Sequence, residues 1–136
     1  MKSTGWLLVA LFLLLVVSCS PEPKVTELKE FIIGKWQGSG APFSSTNSDY
    51  ESKPSSMEFT QAGRIIWDMG TQDKTLHFTG NYTFIAPDTI RVDFIRYSNN
   101  SAVWELTGSR MPNEPDSLTV RDRDAGTVVA SMQRIY

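Results

Sequence analysis

The alternation of apolar and polar side chains constrains the fold of this chain more than any other feature. Side chains of a β-strand point to opposite faces in turn, so an alternation with period two indicates a strand with one buried face. Met57 and Phe59, for example, flank the charged Glu58. Such segments recur through most of the chain and predict eight strands, at about residues 33–39, 56–61, 64–69, 75–85, 89–98, 102–110, 117–122 and 127–135.

Short turn-forming sequences separate most of these segments. Glycine and asparagine tolerate the positive backbone angles of tight hairpins, and proline and aspartate are also common in turns. Consecutive strands are therefore expected to be antiparallel neighbours. This favours an all-β fold with a single antiparallel up-and-down barrel of about eight strands, because closure removes exposed strand edges. A sandwich of two sheets is the alternative. The predicted turns are Gln61-Ala62-Gly63, Ala86-Pro87-Asp88, Asn99-Asn100 and Asp124-Ala125-Gly126.

One short helical turn is predicted ahead of the first strand. Leu28, Phe31 and Ile32 have helical spacing, and Thr26 precedes them as a possible N-cap. Residues 26–136 are therefore expected to form one domain, since about 100 residues are typical of a single domain.

The first 18 residues differ from the rest of the chain. Lys2 precedes a run from Trp6 to Val17 that contains no polar side chain. This run is shorter than the roughly 20 residues needed to span a bilayer, and it is typical of the apolar core of a signal peptide. It ends at Val16-Val17-Ser18-Cys19, which resembles the lipobox of bacterial lipoproteins.

The lipobox resemblance implies how the chain is processed. Residues 1–18 would be a lipoprotein signal peptide, and Cys19 would carry a thioether-linked diacylglycerol and often a further acyl chain such as palmitate. Residues 19–25 would be the lipidated cysteine and its tether. Several acyl chains make a stable anchor, so the protein is expected at a membrane of the bacterial cell envelope, facing the periplasm or the exterior. An ordinary cleaved signal with an unpaired cysteine and an unmodified transmembrane anchor are the alternatives.

A second resemblance involves the start of the domain. A helical turn followed by Ile32-Ile33-Gly34-Lys35-Trp36 is similar to the opening of lipocalin-like families, and the segments 58–65 and 80–84 are similar to small lipocalin-like domains of bacterial lipoproteins. The resemblance implies that Arg134, on the last strand, lies across Trp36 and closes one end of the barrel through a cation–π contact. The chain lacks the carboxy-terminal helix and the disulfides of larger lipocalins.

Inward-facing aromatic and apolar residues are candidates for a ligand pocket. They could line a site for a small hydrophobic ligand, with residues 41–55 as a loop that covers it. The same residues could instead fill the core of an envelope structural or protein-interaction module, because a small domain needs most of its apolar residues for stability. The protein partners of such a module are unknown. The pocket candidates are Met57, Phe59, Trp67, Tyr82, Phe84, Phe94 and Trp104.

Composition argues against several other functions. The net charge of −2 disfavours nucleic acid as a partner. A single cysteine and a single histidine exclude zinc sites built from several such ligands, and no cofactor or metal is predicted. His77 is interpreted as an ordinary strand residue, so no catalytic residues and no enzymatic activity are expected. The segment 122–126 is interpreted as a hairpin turn rather than a calcium loop. Four strand carboxylates are expected to face solvent: Glu58, Asp68, Asp93 and Glu105.

Overall fold

The computed structural model describes residues 26–40, 54–70, 75–95 and 101–136. These residues form one short helix and eight strands, each with the period that its sequence predicts. The elements are α1 (Leu28–Phe31), β1 (Gly34–Gly40), β2 (Pro54–Phe59), β3 (Arg64–Gly70), β4 (Thr75–Ala86), β5 (Thr89–Phe94), β6 (Ser101–Ser109), β7 (Ser117–Asp122) and β8 (Val128–Ile135).

The eight strands close into one antiparallel barrel. Each strand pairs with its neighbours in the sequence, and β8 returns to pair with β1, where Trp36 lies opposite Arg134. The prediction of an all-β up-and-down barrel with one short helical turn is therefore confirmed, and the two-sheet sandwich was wrong. Closure leaves no strand edge free for pairing with another chain.

The predicted bounds of β2 and β5 differ from the structure by two residues or more, and those of the other strands by at most one. Strand β2 begins at Pro54, so Pro54 and Ser55 belong to a strand and not to the loop predicted over 41–55. Proline is tolerated at the first residue of a strand, and Ser55 is buried there. Strand β5 ends at Phe94 rather than at residue 98. Residues 41–53 and 96–100, which include the predicted Asn99-Asn100 turn, lie outside the described residues.

The other three predicted turns are present. Gly63 has φ of +79° and Gly126 has φ of +69°, which places both in the region that favours glycine. The amide of Gly63 donates to the carbonyl of Thr60 at 3.1 Å, and the amide of Gly126 donates to the carbonyl of Asp122 at 2.8 Å. The third turn joins β4 and β5 at residues 87–88.

The two ends of the barrel are distinct. One, here called the helix end, holds α1, the start of β1 and the connections 60–63, 87–88 and 110–116. The other, called the far end, is where the chain passes from β1 to β2, from β3 to β4, from β5 to β6 and from β7 to β8. Every strand therefore runs between a helix-end residue and a far-end residue.

Helix α1 packs into the helix end because β6 carries a glycine beneath it. A Cβ atom on Gly108 would lie 2.5 Å from Cε1 of Phe31 and 3.1 Å from Cδ2 of Leu28. Both side chains are buried. The missing side chain of Gly108 thus makes the room in which α1 covers the interior.

Candidate functional site

Arg134 is the centre of a polar network at the helix end. Its Nε donates to Oδ2 of Asp116 at 3.0 Å. Its Nη1 donates to the carbonyl of Ile33 at 2.9 Å, and its Nη2 donates to the carbonyl of Phe31. Because Phe31 is the last residue of α1 and Ile33 lies two residues beyond it, the guanidinium joins the last strand to the end of the helix.

The same guanidinium lies over aromatic rings. Its Cζ is 4.3 Å from the centroid of the Trp36 ring and 5.2 Å from that of Phe31. The Cζ of Arg110 lies 5.4 Å from the Phe31 centroid. Such contacts contribute about 0.5–2 kcal/mol each, depending on desolvation. The two residues that the lipocalin resemblance pairs, Trp36 and Arg134, are thus in contact at the helix end.

Asp116 is a buried carboxylate that holds two arginines. Its side chain is 5% exposed, against 14% for Arg134 and 66% for Arg110. Nε and Nη2 of Arg110 donate to its two oxygens, both at 2.9 Å. The hydrogen bonds from Arg110, and then those from Arg134, lower the pKa of Asp116 from its ordinary value of 3.8, although burial acts in the opposite direction.

The lowered pKa of Asp116 predicts a stability change in acid. A carboxylate with a lower pKa in the folded state stabilises that state above its unfolded pKa, and the contribution is lost as pH falls through the folded pKa. We expect the free energy of unfolding to decrease below about pH 5. Asp116→Asn should be less stable at neutral pH and should show a shallower decrease in acid. Urea denaturation at a series of pH values measures both effects. If the free energy of unfolding decreased equally steeply with falling pH in the two proteins, this role of Asp116 would be contradicted.

The seven predicted pocket residues occupy alternate strand positions, and their side chains face the barrel interior. Five of them are buried, whereas Tyr82 and Phe84 are half-buried near the helix end. All seven pack in or against one hydrophobic core, although ring contacts do not join all of the aromatic ones. Their role in holding a ligand stays a prediction.

Ring contacts divide these aromatic residues into two groups. Phe59, Tyr82 and Phe84 form the group nearer the helix end, with centroid distances of 5.2 and 6.3 Å. The hydroxyl of Tyr82 donates to the carbonyl of Thr60 at 2.7 Å, and burial raises the pKa of this phenol. The group therefore anchors the β2–β3 turn.

The second group, here called the tryptophan group, consists of Trp67, Trp104, Phe94 and Phe78. The Trp67 and Trp104 centroids are 5.6 Å apart at an interplanar angle of 73°. Phe94 lies 5.9 Å from Trp104 and 6.3 Å from Phe78. Phe94 ends β5 at the far end, so this group extends from the middle of the barrel toward the far end.

Two members of this group, and Ser55 on β2, carry buried polar atoms without a partner in the part of the chain that the structure describes. Among the described residues, Nε1 of Trp67, Nε1 of Trp104 and Oγ of Ser55 find no hydrogen-bond partner. By contrast, Nε1 of Trp36 donates to the carbonyl of Ile32 at 2.8 Å. Buried polar groups in native proteins are nearly always satisfied, so two unpaired indole N–H groups in one aromatic cluster require an explanation.

Residues considered for catalysis or metal binding lie elsewhere. His77 is on the outer face of β4, where its Nδ1 contacts Oδ1 of Asp68 on β3. Oδ1 of Asp122 accepts hydrogen bonds from the amides of Asp124 and Ala125, which is the geometry of a turn. Within the described residues, no group of three His, Cys, Asp or Glu side chains is placed to hold a metal ion.

The chain matches no protein-family model and no curated protein. The lipocalin-like interpretation therefore depends on the sequence motifs and on the barrel topology. In the part of the chain that the structure describes, no helix has the length and hydropathy to cross a bilayer. The predicted signal peptide, Cys19 and the tether lie outside the described residues.

Sequence reasoning missed Asp116, Ser55 and Phe78. Asp116 lies in a connection without periodicity, where no pattern indicates burial. The lipocalin resemblance places Arg134 over Trp36 but names no hydrogen-bond acceptor for the guanidinium. Since a guanidinium has five N–H donors, this missing acceptor was the signal that could have indicated a buried carboxylate. Ser55 was assigned to a loop, and Phe78 has the same phase as Tyr82 and Phe84 on β4.

Proposed function

We propose that this chain is a membrane-anchored lipoprotein of the bacterial envelope whose barrel binds a small, mainly apolar ligand that carries a hydrogen-bond acceptor. The unpaired indole N–H groups of Trp67 and Trp104 carry the proposal. Leaving a buried donor unsatisfied costs about 1–3 kcal/mol, and an acceptor oxygen on a ligand would remove that cost. The surrounding rings suit an apolar body.

Binding at this position requires the tryptophan group to open. Trp67 and Trp104 are 0% exposed, so no space that could hold a water molecule borders their rings. A ligand must therefore separate the rings or displace a neighbouring side chain. Binding is then expected to change the environment of both indoles, which tryptophan fluorescence reports.

The membrane anchor is supported by the sequence. The apolar run that precedes Cys19 has the length of a signal-peptide core, and the residues around the cysteine resemble a lipobox. Acylation of Cys19 would hold the barrel at the envelope membrane without a transmembrane helix.

A filled barrel is the second candidate, and the complete burial of three tryptophans favours it. Trp36, Trp67 and Trp104 are each 0% exposed, and Met57, Ile65 and Leu118 are buried beside them. In that case the interior serves stability alone, and the protein acts as an envelope structural or interaction module through its outer face.

Matched ligands separate the two candidates. Methyl decanoate carries acceptor oxygens, whereas undecane has a similar apolar length and none. A ligand that binds only the folded state raises the free energy of unfolding, by about 2.7 kcal/mol when its concentration is a hundred times Kd. The denaturation midpoint rises with it. The proposal expects the ester to raise the midpoint more than the hydrocarbon. No shift with either compound would favour the filled barrel.

Replacing single tryptophans tests whether their indole N–H groups donate a hydrogen bond to the ligand. Trp104→Phe removes the N–H and keeps an aromatic ring, so it should weaken binding of methyl decanoate about tenfold, the equivalent of one hydrogen bond of about 1.4 kcal/mol. Trp36→Phe is the matched control because the indole of Trp36 already has an acceptor. Titrations followed by the denaturation midpoint measure both. Equal affinities for the two variants would contradict the assigned donors.

A further inference from the structure

We infer that the helix end of the barrel rests on the lipid surface and that the far end, toward which the tryptophan group extends, points away from it. This inference rests on the proposed anchor at Cys19. It goes further by assigning a lipid-contacting surface.

The tether between Cys19 and the barrel is short. A fully extended chain spans at most about 3.6 Å per residue, so the seven residues from Cys19 to Thr26 reach about 25 Å. Pro21 and Pro23 cannot lengthen this reach. The described chain starts at Thr26, two residues before α1, so the tether is attached to the helix end.

The height of the barrel carries the second step. Strand β4 has twelve residues and rises about 30 Å along the barrel axis, given about 3.3 Å per residue and a tilt of about 40°. Thr26 lies beside Pro87, just after the end of β4, so an inverted barrel would hold Thr26 about this far from the lipid surface. A tether of about 25 Å falls short of that distance even when fully extended, which favours the orientation with the helix end nearer the membrane.

The surface of the helix end fits this position. Four large apolar side chains are exposed there, against two, Ile95 and Val128, among the described residues of the far end. The four are Ile85 at the end of β4, Met111 in the β6–β7 connection, and Ile135 and Tyr136 at the end of β8. They come from three different elements that meet at this end. Two exposed lysines lie beside them, Lys29 near Ile85 and Lys35 opposite Ile135, and the exposed Glu27 and Glu30 flank Lys29. Apolar side chains with nearby cations suit the boundary between lipid headgroups and acyl chains.

The orientation has a consequence for the ligand. Because the far end faces the aqueous side, a ligand that enters there arrives from solution or from a carrier. It does not move directly out of the anchoring membrane.

Site-specific quenching tests the orientation in the full, acylated protein. Cys19 is the only cysteine, and its sulfur is consumed by the thioether, so an introduced cysteine takes a fluorophore alone. Ile85→Cys marks the helix end and Val128→Cys marks the far end. The two residues are 47% and 49% exposed, which makes them a matched pair. The labelled proteins are placed in phosphatidylcholine–phosphatidylglycerol vesicles that carry a nitroxide on the headgroup.

The expected result is quenching several-fold stronger at position 85 than at position 128. Equal quenching, or stronger quenching at position 128, in protein that floats with the vesicles would overturn the orientation alone. If the protein fails to float, or Cys19→Ser floats equally well, the anchor is wrong, and the orientation that depends on it is overturned as well.

Discussion

Replacing Arg134 with methionine is expected to destabilise the folded protein by about 3–5 kcal/mol, the usual cost of removing one partner of a buried ion pair. Methionine keeps the unbranched apolar stem of the side chain, but it is shorter than arginine and donates no hydrogen bonds. Asp116 would lose one of its two arginines, and the carbonyls of Ile33 and Phe31 would lose their donor. Urea denaturation with linear extrapolation measures the change.

Arg110→Met is the matched control for this experiment. Arg110 also binds Asp116, but its side chain is 66% exposed and Arg134 remains in place when it is removed. The loss of stability should therefore be clearly smaller than for Arg134→Met. If both variants lost the same stability, Arg134 would not be the residue that closes the helix end.

Trp36→Ala is expected to destabilise the protein by about 3–5 kcal/mol because it removes a large, fully buried side chain. It also removes the hydrogen bond to the carbonyl of Ile32 and the ring beneath Arg134. The Phe31 ring, 5.5 Å away, would border the cavity that results. Thermal or chemical denaturation measures the loss.

Trp36→Phe provides the comparison within the same site. It keeps an aromatic ring under the guanidinium and loses only the indole N–H and part of the volume, so the cost should be well below that of alanine. A near-neutral effect of Trp36→Ala would show that β1 does not contribute this residue to the core, in contradiction to the structure.

The barrel could be predicted from the sequence because its physical causes are local. Alternation identifies strands, and glycines such as Gly63 and Gly126 identify the hairpins that make consecutive strands neighbours. Closure follows once eight antiparallel strands are in order, since a closed sheet has no exposed edges. The contact between Trp36 and Arg134 was expected from a family resemblance and not from any local pattern.

The arrangement inside the barrel could not be predicted in the same way. Alternation assigns Phe59 and Trp104 to one face but does not say which rings touch, because contacts across a barrel depend on register and tilt. The six aromatic pocket candidates therefore divide into two groups by ring contact, and Phe78 joins one of them. Asp116 is buried by tertiary contacts with Arg110 and Arg134, which no pattern in its own segment indicates.

Native mass spectrometry of the full-length protein, extracted from bacterial membranes in mild detergent, tests the central claim most directly. Comparison of the native spectrum with one of the denatured protein distinguishes covalent acylation of Cys19, which survives denaturation, from a bound ligand, which does not. The account predicts an acylated chain that begins at Cys19, together with a non-covalent adduct on the order of a few hundred daltons, the size that such pockets hold. A chain that carries its acyl groups but no adduct in repeated preparations would contradict ligand binding and would leave the filled barrel.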